Sequence, residues 1–441
     1  MAVQSPASAS RFRSYAPVVD QPVLRRILPG LAVSALGDGM SVVAVAWLAV
    51  QIAPADQAAA WTGLAIAAYT LPATLGAAVF GRLVRRFSGA GLVAVDASVR
   101  AVALGTTAVL AVTGRLGPVG YVLLLAASSL LHAWGSAGTY TLVAEQLPER
   151  HRVAGNALVS TFNQAAFVVG PALAGAISAV AGPGWVIGAD AASFAILAVS
   201  CMTARAGRRA AGFSALAEGS AAGSNTALAE GSAAGSNTAL AEGSAAGSST
   251  AGWRTIVGTP RLLGLTAVTC VFYFLYGPVE VALPIYVARD LGGSPALLGA
   301  YWTAFGIGAV AGGLGAGLLR NGRLFAVVAV IIMGWGAALL PIALTGTVWL
   351  GLAGLAVGGL IYGPFTAICV ALFQLVSPPH MLSRVLAART ALTIPSTALG
   401  TLAGGPAVTA LGARPTLLAS ALLTIALGAV LAAGGGRAKR E

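Results

Sequence analysis

The chain has 441 residues, of which 57% are hydrophobic and only 9% are charged, and its mean hydropathy is +0.86. This composition excludes a soluble globular protein and predicts a polytopic membrane protein. The formal net charge of +12 would otherwise suggest a nucleic-acid partner, so the placement of the cations has to decide between the two.

The chain begins with a polar, arginine-bearing segment, residues 1–26, that lacks the apolar core of a signal peptide and reads as a cytoplasmic tail. A hydrocarbon core about 30 Å thick needs about 20 apolar helical residues. Charges and Gly/Pro turns divide the rest into twelve stretches of about that length. The first six lie at 27–52, 61–84, 91–113, 119–143, 156–180 and 185–204. The second six lie at 262–288, 296–319, 323–345, 347–374, 390–411 and 414–433.

These stretches predict an all-α fold of 12 transmembrane helices in two six-helix bundles, 27–204 and 262–433, followed by a short tail at 434–441. The polar interval 205–261 separates the bundles. A twelve-residue unit recurs in it at Ala215–Thr226, Ala227–Thr238 and Ala239–Thr250, with one Asn changed to Ser in the last copy. Such an Ala/Gly/Ser tract buries too little surface to offset its ordering entropy, which favours a flexible linker over a docking segment for a partner.

The arginines indicate the orientation. They concentrate on the tails, on the linker and on alternate loops, and only Arg115, Arg289 and Arg414 fall on the loops of the opposite face. The positive-inside rule therefore places both termini and the linker in the cytoplasm. Topology explains the basic charge, so no nucleic-acid partner is predicted. The cysteines Cys201, Cys270 and Cys369 lie in apolar runs without metal-ligand spacing, and no metal or other cofactor is predicted.

The two halves share a glycine pattern. Three glycines of the second span recur in the eighth at one constant offset of 236 residues: Gly63, Gly76 and Gly81 match Gly299, Gly312 and Gly317. This spacing indicates a parallel repeat of six spans, an arrangement in which two bundles rock about a site between them.

Asp38 is the leading candidate for a proton or cationic-substrate site. It lies 11 residues into the first span, or roughly 16 Å deep at 1.5 Å per residue. Ionisable groups at that depth normally face a bundle interior or a water-filled cavity. A protonated packing residue beside Gly37 and Gly39 is the alternative. Glu280, between Gly277-Pro278 and Pro284 of a span expected to be kinked or broken, is the second candidate; it could instead be an external-gate charge or a partner for Arg289.

Other ionisable residues are expected to have structural or relay roles. Asp96 and Arg100 stand at i and i+4, so they are predicted to pair in a structural or gating role. Asp190 lies near the outer end of its span, where solvation favours a structural role. His132 could relay a proton, although a lone histidine in an apolar helix is more often simply hydrogen-bonded.

Aromatic residues at candidate inner positions could form the apolar wall of a pocket, although many are expected to face lipid. They are Trp47, Tyr69, Trp134, Tyr140, Tyr273, Tyr276, Trp302, Tyr362 and Phe365. An enzyme is not predicted, because His132 and Ser136 on one span lack an oxyanion loop and an orienting acid, and no HExxH or P-loop pattern occurs.

Six segments carry a family resemblance. They are Gly37-Asp38-Gly39, Asp96-x-x-x-Arg100, Pro148-Glu149-Arg150 with Asn156-Ala157-Leu158, Gly170-Pro171-Ala172-Leu173-Ala174-Gly175, Asp190-Ala191-Ala192-Ser193-Phe194, and Glu280-Val281-Ala282-Leu283-Pro284. In this order the chain resembles the major facilitator superfamily, and within it the drug:proton antiporter branch that includes macrolide-efflux and enterobactin-exporter proteins. One departure is that Arg85, followed by Arg86, occupies the position where the family's gate loop usually carries an Asp.

The resemblance implies an antiporter motif at Gly170, Pro171, Ala174 and Gly175, which in the family is taken to bias transport toward export; a generic kinked packing helix is the alternative. It implies proton-driven export of an amphipathic drug or secreted metabolite across a bacterial cytoplasmic membrane by a monomer, with lipid, protons and substrate as partners. An importer or uniporter on the same fold, or a non-transporting receptor, is the alternative.

Overall fold

A computed structural model of the chain describes residues 15–79, 87–219, 251–315 and 324–437. The regular secondary structure of these residues is entirely helical. The positions of Arg85 and Arg86, of Gly81 and Gly317 and of most of the twelve-residue repeats lie outside the described residues.

The first half of the chain contributes six long helices after a helical turn at Ala16–Val19. Two of them, α2 and α4, are each made of two consecutive segments. The helices are α1 (Pro22–Ile52), α2 (Ala58–Thr70 and Pro72–Val79), α3 (Gly89–Val112), α4 (Pro118–Ser129 and His132–Gln146), α5 (Glu149–Ala181) and α6 (Pro183–Gly219).

The second half repeats this arrangement. Its first helix ends in a π-helical turn, and its fourth is interrupted at Gly363-Pro364. The helices are α7 (Pro260–Ile285, then Tyr286–Asp290), α8 (Pro295–Gly315), α9 (Leu324–Thr345), α10 (Val348–Tyr362 and Phe365–Val376), α11 (Leu382–Leu411) and α12 (Ala413–Arg437).

The predicted all-α fold with twelve membrane-length helices is confirmed. Eleven of these helices are apolar enough to cross a membrane by length and composition. The exception is α11, which is 30 residues long but carries Thr390, Thr393 and Thr397 among its apolar residues. Its hydroxyl-rich stretch is accommodated because α11 packs against α7 and α2.

Helix packing follows the division into two halves. In the first half α3 packs on α6, and α1 packs on α5 and α6; in the second, α9 packs on α12, α7 on α11 and α8 on α10. The main contacts between the halves are α5 with α8 and α2 with α11. The predicted repeat makes these two crossings equivalent, because α2 corresponds to α8 and α5 corresponds to α11.

The bundle has two faces. We call the face where α1 begins and α12 ends the termini face, and the opposite one the distal face. The distal turns are short. Five of them contain a glycine with positive φ, a backbone conformation that other residues rarely adopt. These are Gly114, Gly182, Gly292, Gly346 and Gly412.

The segment expected to be a flexible linker is helical at both of its described ends. Helix α6 continues past residue 204 to Gly219, and residues 251–258 are helical before α7 begins at Pro260. Alanine, arginine, leucine and glutamate are good helix formers, and they dominate residues 205–219. The expected boundary at 204 therefore falls inside a helix.

Candidate functional site

A buried ion pair joins the first and third helices. The Arg100 guanidinium of α3 donates to Asp38 Oδ1 of α1, and this is the ion pair found among the described residues. Arg100 is 2% exposed, whereas the Asp38 side chain is 37% exposed. One member of the pair is therefore sealed in protein while the other remains within reach of solvent or ligand.

Two further side chains complete a hydrogen-bonded network around Arg100. Tyr69 of α2 accepts a hydrogen bond from Arg100 Nη2 at 2.6 Å and donates one to Asp38 Oδ1 at 3.0 Å. His132 of α4 lies with Nδ1 2.6 Å from Arg100 Nη1. Because arginine can only donate, Nδ1 accepts, and a neutral imidazole then carries its proton on Nε2. The network links α1, α2, α3 and α4 at one level of the first half.

Aromatic rings hold the guanidinium in place. The Phe194 ring lies 4.2 Å from the guanidinium carbon, and the Tyr69 ring lies 5.3 Å from it. Such cation–π contacts stabilise a desolvated arginine by roughly 2 kcal/mol or more each. Phe194 stands four residues after Asp190 on α6, and the sequence alone gave no signal for its contact with Arg100.

The expected pairing of Asp96 with Arg100 is wrong for this conformation. Asp96 is 7% exposed, and its Oδ1 is buried without a hydrogen-bond partner. The carboxyl packs instead against Gly135 of α4, where an added Cβ would lie 2.5 Å from Asp96 Cγ. Helical spacing alone favoured the pair, but Asp38, Tyr69 and His132 offer Arg100 three acceptors on neighbouring helices.

The expected solvation of Asp190 is also wrong, because its side chain is fully buried. Ser41 Oγ donates to Asp190 Oδ2, and Ser193 donates to the Asp190 backbone carbonyl at 2.6 Å. The carboxyl packs against Gly37, where a Cβ would lie 3.1 Å from Asp190 Cγ. Asp190 therefore lies directly behind the α1 turn that carries Asp38.

A cavity of about 420 Å³ ends at this network. Asp38, Tyr69, Asp96 and His132 form its polar end. Its remaining walls come from the termini-face halves of α1, α3, α4, α5 and α6. They include Leu31, Ser34, Val93, Ser136, Thr139, Tyr140, Val159, Phe162, Asn163, Phe167 and Leu197. Phe162, Asn163 and Phe167 were not predicted from the sequence, although they lie on α5, the helix that carries the glycine motif.

The motif residues of α5 lie where the two halves meet, toward the distal face. A Cβ on Gly170 would lie 2.7 Å from the Gly39 Cα of α1, and one on Gly175 would lie 2.9 Å from the Ala296 Cα of α8. Ala174 is fully buried. The small residues therefore permit close packing on two partners at once, one of them in the other half.

Similar close contacts bring α2 and α11 together at the same level. A Cβ on Gly405 would lie 2.9 Å from the Ala60 Cα, and one on Gly63 would lie 3.0 Å from the Thr401 carbonyl oxygen. At the distal surface, Arg289 of α7 donates to the Ala55 carbonyl oxygen at 2.5 Å. We call this set of contacts the distal seam. It closes the distal side, whereas the cavity lies on the termini side.

Glu280 lies in the second half at the level of this seam. Thr401 of α11 donates to Glu280 Oε2 at 3.0 Å. Helix α7 is continuous through Pro278 and Pro284, so the expected break at Glu280 is absent, and the irregularity is the π-helical turn that follows. The alternative partner, Arg289, bonds to Ala55 instead.

Most of the other candidate aromatics form one cluster in the second half. Its rings pack at 4.7 to 6.5 Å between centroids, and the T-shaped Phe167–Phe305 contact at 5.9 Å connects it to the cavity wall. The cluster contains Phe272, Tyr273, Tyr276, Trp302, Phe305, Trp335, Tyr362 and Phe365. Of the remaining candidates, Tyr69 and Tyr140 line the cavity, Trp47 is buried in the core, and Trp134 donates to the Gly76 carbonyl oxygen.

Within the described ranges, no group of three or more His, Cys, Asp or Glu side chains is placed to hold a metal ion. The polar end of the cavity can instead accept a proton or bind a cation at Asp38. The aromatic wall beside it can cover an apolar body.

Comparisons with known proteins agree on the fold. The family described as Major Facilitator Superfamily matches residues 27–392. The nucleoside transporter NupG is similar, with a TM-score of 0.67 and 14% identity over 93% of this chain and 98% of that one. A mutant of the peptide transporter POT is also similar, with a TM-score of 0.64 and 12% identity over 93% of this chain and 94% of that one.

The fold is also similar to that of a bacterial homologue of the human lysosomal transporter Spinster, solved in an inward-facing and unoccupied conformation. The TM-score is 0.63 and the identity 11%, over 93% of this chain and 95% of that one. No curated protein matches the sequence. At these identities the solved structures bear on the fold alone.

Proposed function

This chain belongs to the major facilitator superfamily and is a membrane transporter, and from that premise we propose that it exports an amphipathic small molecule in exchange for protons. The observation that carries the proposal is the Asp38–Arg100 ion pair at the closed end of the cavity. A carboxylate couples two fluxes when a proton and a substrate compete for it. Asp38 is accessible enough for either, and it holds a buried cation that must respond when its charge changes.

The balance of charge supports proton coupling. Asp38, Asp96 and Asp190 bring three carboxyl groups to one region, while Arg100 brings one permanent cation. If all three acids were ionised, the region would carry an excess of two negative charges. An ionised acid at the centre of a membrane costs about 3 kcal/mol even on insertion scales. The region is neutral when two of the carboxyls hold protons, so it is equipped to take up and release them.

The placement of the cavity supports alternating access. The distal seam is closed around α2, α5, α8 and α11, and the cavity reaches from Asp38 toward the termini face. With both termini in the cytoplasm, as the arginine distribution favours, this conformation faces the cytoplasm. Rocking of the two halves would separate the seam and present Asp38 to the outside, where protons load in a bacterial cytoplasmic membrane.

The test of coupling uses Asp38→Asn in proteoliposomes with an imposed pH gradient. The substrate is first chosen by expressing the gene in a pump-deficient bacterial host and screening macrolides, tetracyclines, dyes and siderophores. We expect Asp38→Asn to abolish gradient-driven transport while the protein still folds. The matched control is Asp20→Asn, which makes the same change at an exposed aspartate near the termini face. Undiminished transport by Asp38→Asn would remove Asp38 from the mechanism.

Direction is tested separately in everted membrane vesicles. An exporter accumulates substrate when the vesicle interior is acidified, because that interior corresponds to the outside of the cell. An importer or a uniporter on the same fold fails to do so. Loss of accumulation in everted vesicles alongside uptake in right-side-out vesicles would overturn export while leaving the role of Asp38 open to its own test.

A further inference from the structure

The unpartnered carboxyl of Asp96 is the polar group that the coupling site leaves unexplained. It is buried, its Oδ1 has no hydrogen-bond partner, and it lines the same cavity as Asp38. Buried polar atoms are normally paired, so an orphan in a cavity wall indicates a partner in another state.

We propose that Asp96 is the second counter-ion of Arg100, which it pairs with when Asp38 takes up a proton or binds a cationic group. This inference deepens the proposed function, because it adds a positioning residue to the same site. Arg100 then exchanges partners between two helices instead of being left without an anion.

The geometry of α3 favours this exchange. Asp96 precedes Arg100 by four residues, and an acid at i with a base at i+4 share one face of a helix. Residues with this spacing can pair within one continuous helix through a change of side-chain rotamers. In the present conformation the guanidinium is held instead by Asp38, Tyr69 and His132.

The exchange keeps charge and protons in balance. In the present conformation Arg100 is paired with the Asp38 carboxylate, and Asp96, which makes no ion pair with Arg100, holds a proton. When Asp38 gains a proton, Arg100 moves to Asp96, and Asp96 gives its own proton to the cavity. One proton is taken up and one is released, so the region keeps its charge. A cationic substrate at Asp38 would likewise release a proton from Asp96.

Asp96 is the carboxyl group that is available to accept Arg100 when Asp38 is neutralised. Arg100 on its own helix and Asp38 from α1 are the charged groups that act on it. Tyr69 from α2 and His132 from α4 line the same end of the cavity. Asp190 accepts the Ser41 hydroxyl and belongs to a fully buried pocket behind α1, outside the cavity lining. Asp96 lines the cavity through which a proton would leave, and its Oδ1 has no hydrogen-bond partner.

The experiment is infrared difference spectroscopy of the full-length protein in detergent, without substrate and without a gradient. A protonated carboxyl and a carboxylate absorb at different frequencies. The proteins compared are the wild type, Asp38→Asn, Asp96→Asn and Asp190→Asn. Thermal unfolding establishes beforehand that each variant is folded.

We expect Asp38→Asn to lose one protonated-carboxyl band, although the residue removed is itself ionised. The same band should be missing from Asp96→Asn, and the band missing from Asp190→Asn should persist in Asp38→Asn. A merely structural Asp96 would leave the protonated bands of Asp38→Asn unchanged. That result would overturn the proposal. So would an Asp38→Asn variant that loses the Asp190 band and keeps the Asp96 band, or a wild-type protein in which Asp96 is ionised.

A second measurement covers the case in which a variant is too unstable for spectroscopy. In a thermal double-mutant cycle, Asp96→Asn should lower the melting temperature by several degrees more in the Asp38→Asn background than in the wild type. Additive shifts would contradict the exchange. Neither measurement involves transport, so failure here leaves the Asp38 transport result standing, and failure of transport leaves this result standing.

Discussion

The two halves of the chain share a helical scaffold but differ in what they bury. The first half buries a charged network, Asp38 with Arg100, beside Asp96 and Asp190. The second half buries a continuous cluster of aromatic rings and places Glu280 against a threonine hydroxyl. Its buried cation, Arg389, is 8% exposed and lies 5.3 Å from the Phe373 ring, with no ion pair found among the described residues.

The two halves therefore share a scaffold without sharing its chemistry. The glycine spacing recurs because equivalent helices make equivalent close contacts. Gly63 and Gly299 pack across the distal seam, whereas Gly76 and Gly312 pack against the fourth helix of their own half. The buried side chains are free to diverge. We infer that the first half handles protons and that the aromatic cluster of the second half supports the cavity wall through the Phe167–Phe305 contact.

The largest effect is expected from replacing Arg100, one of the two buried arginines. Arg100→Gln removes the cation from a region of three carboxyls, so it should destabilise the protein by about 3–5 kcal/mol and abolish transport. Arg389→Gln removes a buried cation without an ion-pair partner, so its effect should lie within about 1 kcal/mol. Equilibrium unfolding in detergent measures both. Equal losses would mean that the halves do not differ in this respect.

The next effect concerns the seam that the halves share. Gly299→Val places a side chain where a Cβ alone would lie 3.1 Å from Gly175 Cα, so it should disfavour closure of the distal side. In a background without native cysteines, we expect several-fold faster labelling of a cysteine at Ala60 by an impermeant maleimide. Gly264→Val, at an exposed glycine with open space around it, is the control. Unchanged labelling would show that the seam tolerates the bulk.

A smaller effect is expected at Glu280. Glu280→Gln keeps an oxygen for the Thr401 hydroxyl and leaves no buried cation unpaired, so it should slow gradient-driven transport by about 2- to 10-fold. Asp38→Asn should be far more severe. Asp290→Asn, at an exposed position on the same helix end, should be without effect. If Glu280→Gln abolished transport, proton handling would extend to the second half.

The smallest effect is expected within the aromatic cluster. Tyr362 stacks with Phe365 at 5.7 Å and with Tyr276 at 6.5 Å. Tyr362→Leu should raise the transport KM by about 2- to 10-fold, the size of one or two lost ring contacts. Tyr362→Phe should leave KM nearly unchanged. Equal effects of the two variants would assign the role to the hydroxyl and contradict an apolar platform.

Much of the scaffold follows from the sequence. Apolar run lengths predict the helices because a membrane demands about 20 such residues each, and the glycine offset indicates the repeat before any contact is known. Asp38 stood out because a carboxylate at that depth is costly. The small residues of α5 indicated close packing but not that one of their partners belongs to the other half.

Which charges meet depends on how the helices pack in three dimensions. Local spacing favoured Asp96 for Arg100, yet the guanidinium bonds to Asp38, Tyr69 and His132 on three other helices. Position along α6 suggested a solvated Asp190, yet α1 covers it through Gly37. A sequence determines which side chains share a helix face, because the helical repeat is fixed. It does not determine how helices rotate against one another, and that rotation selects each buried group's partner.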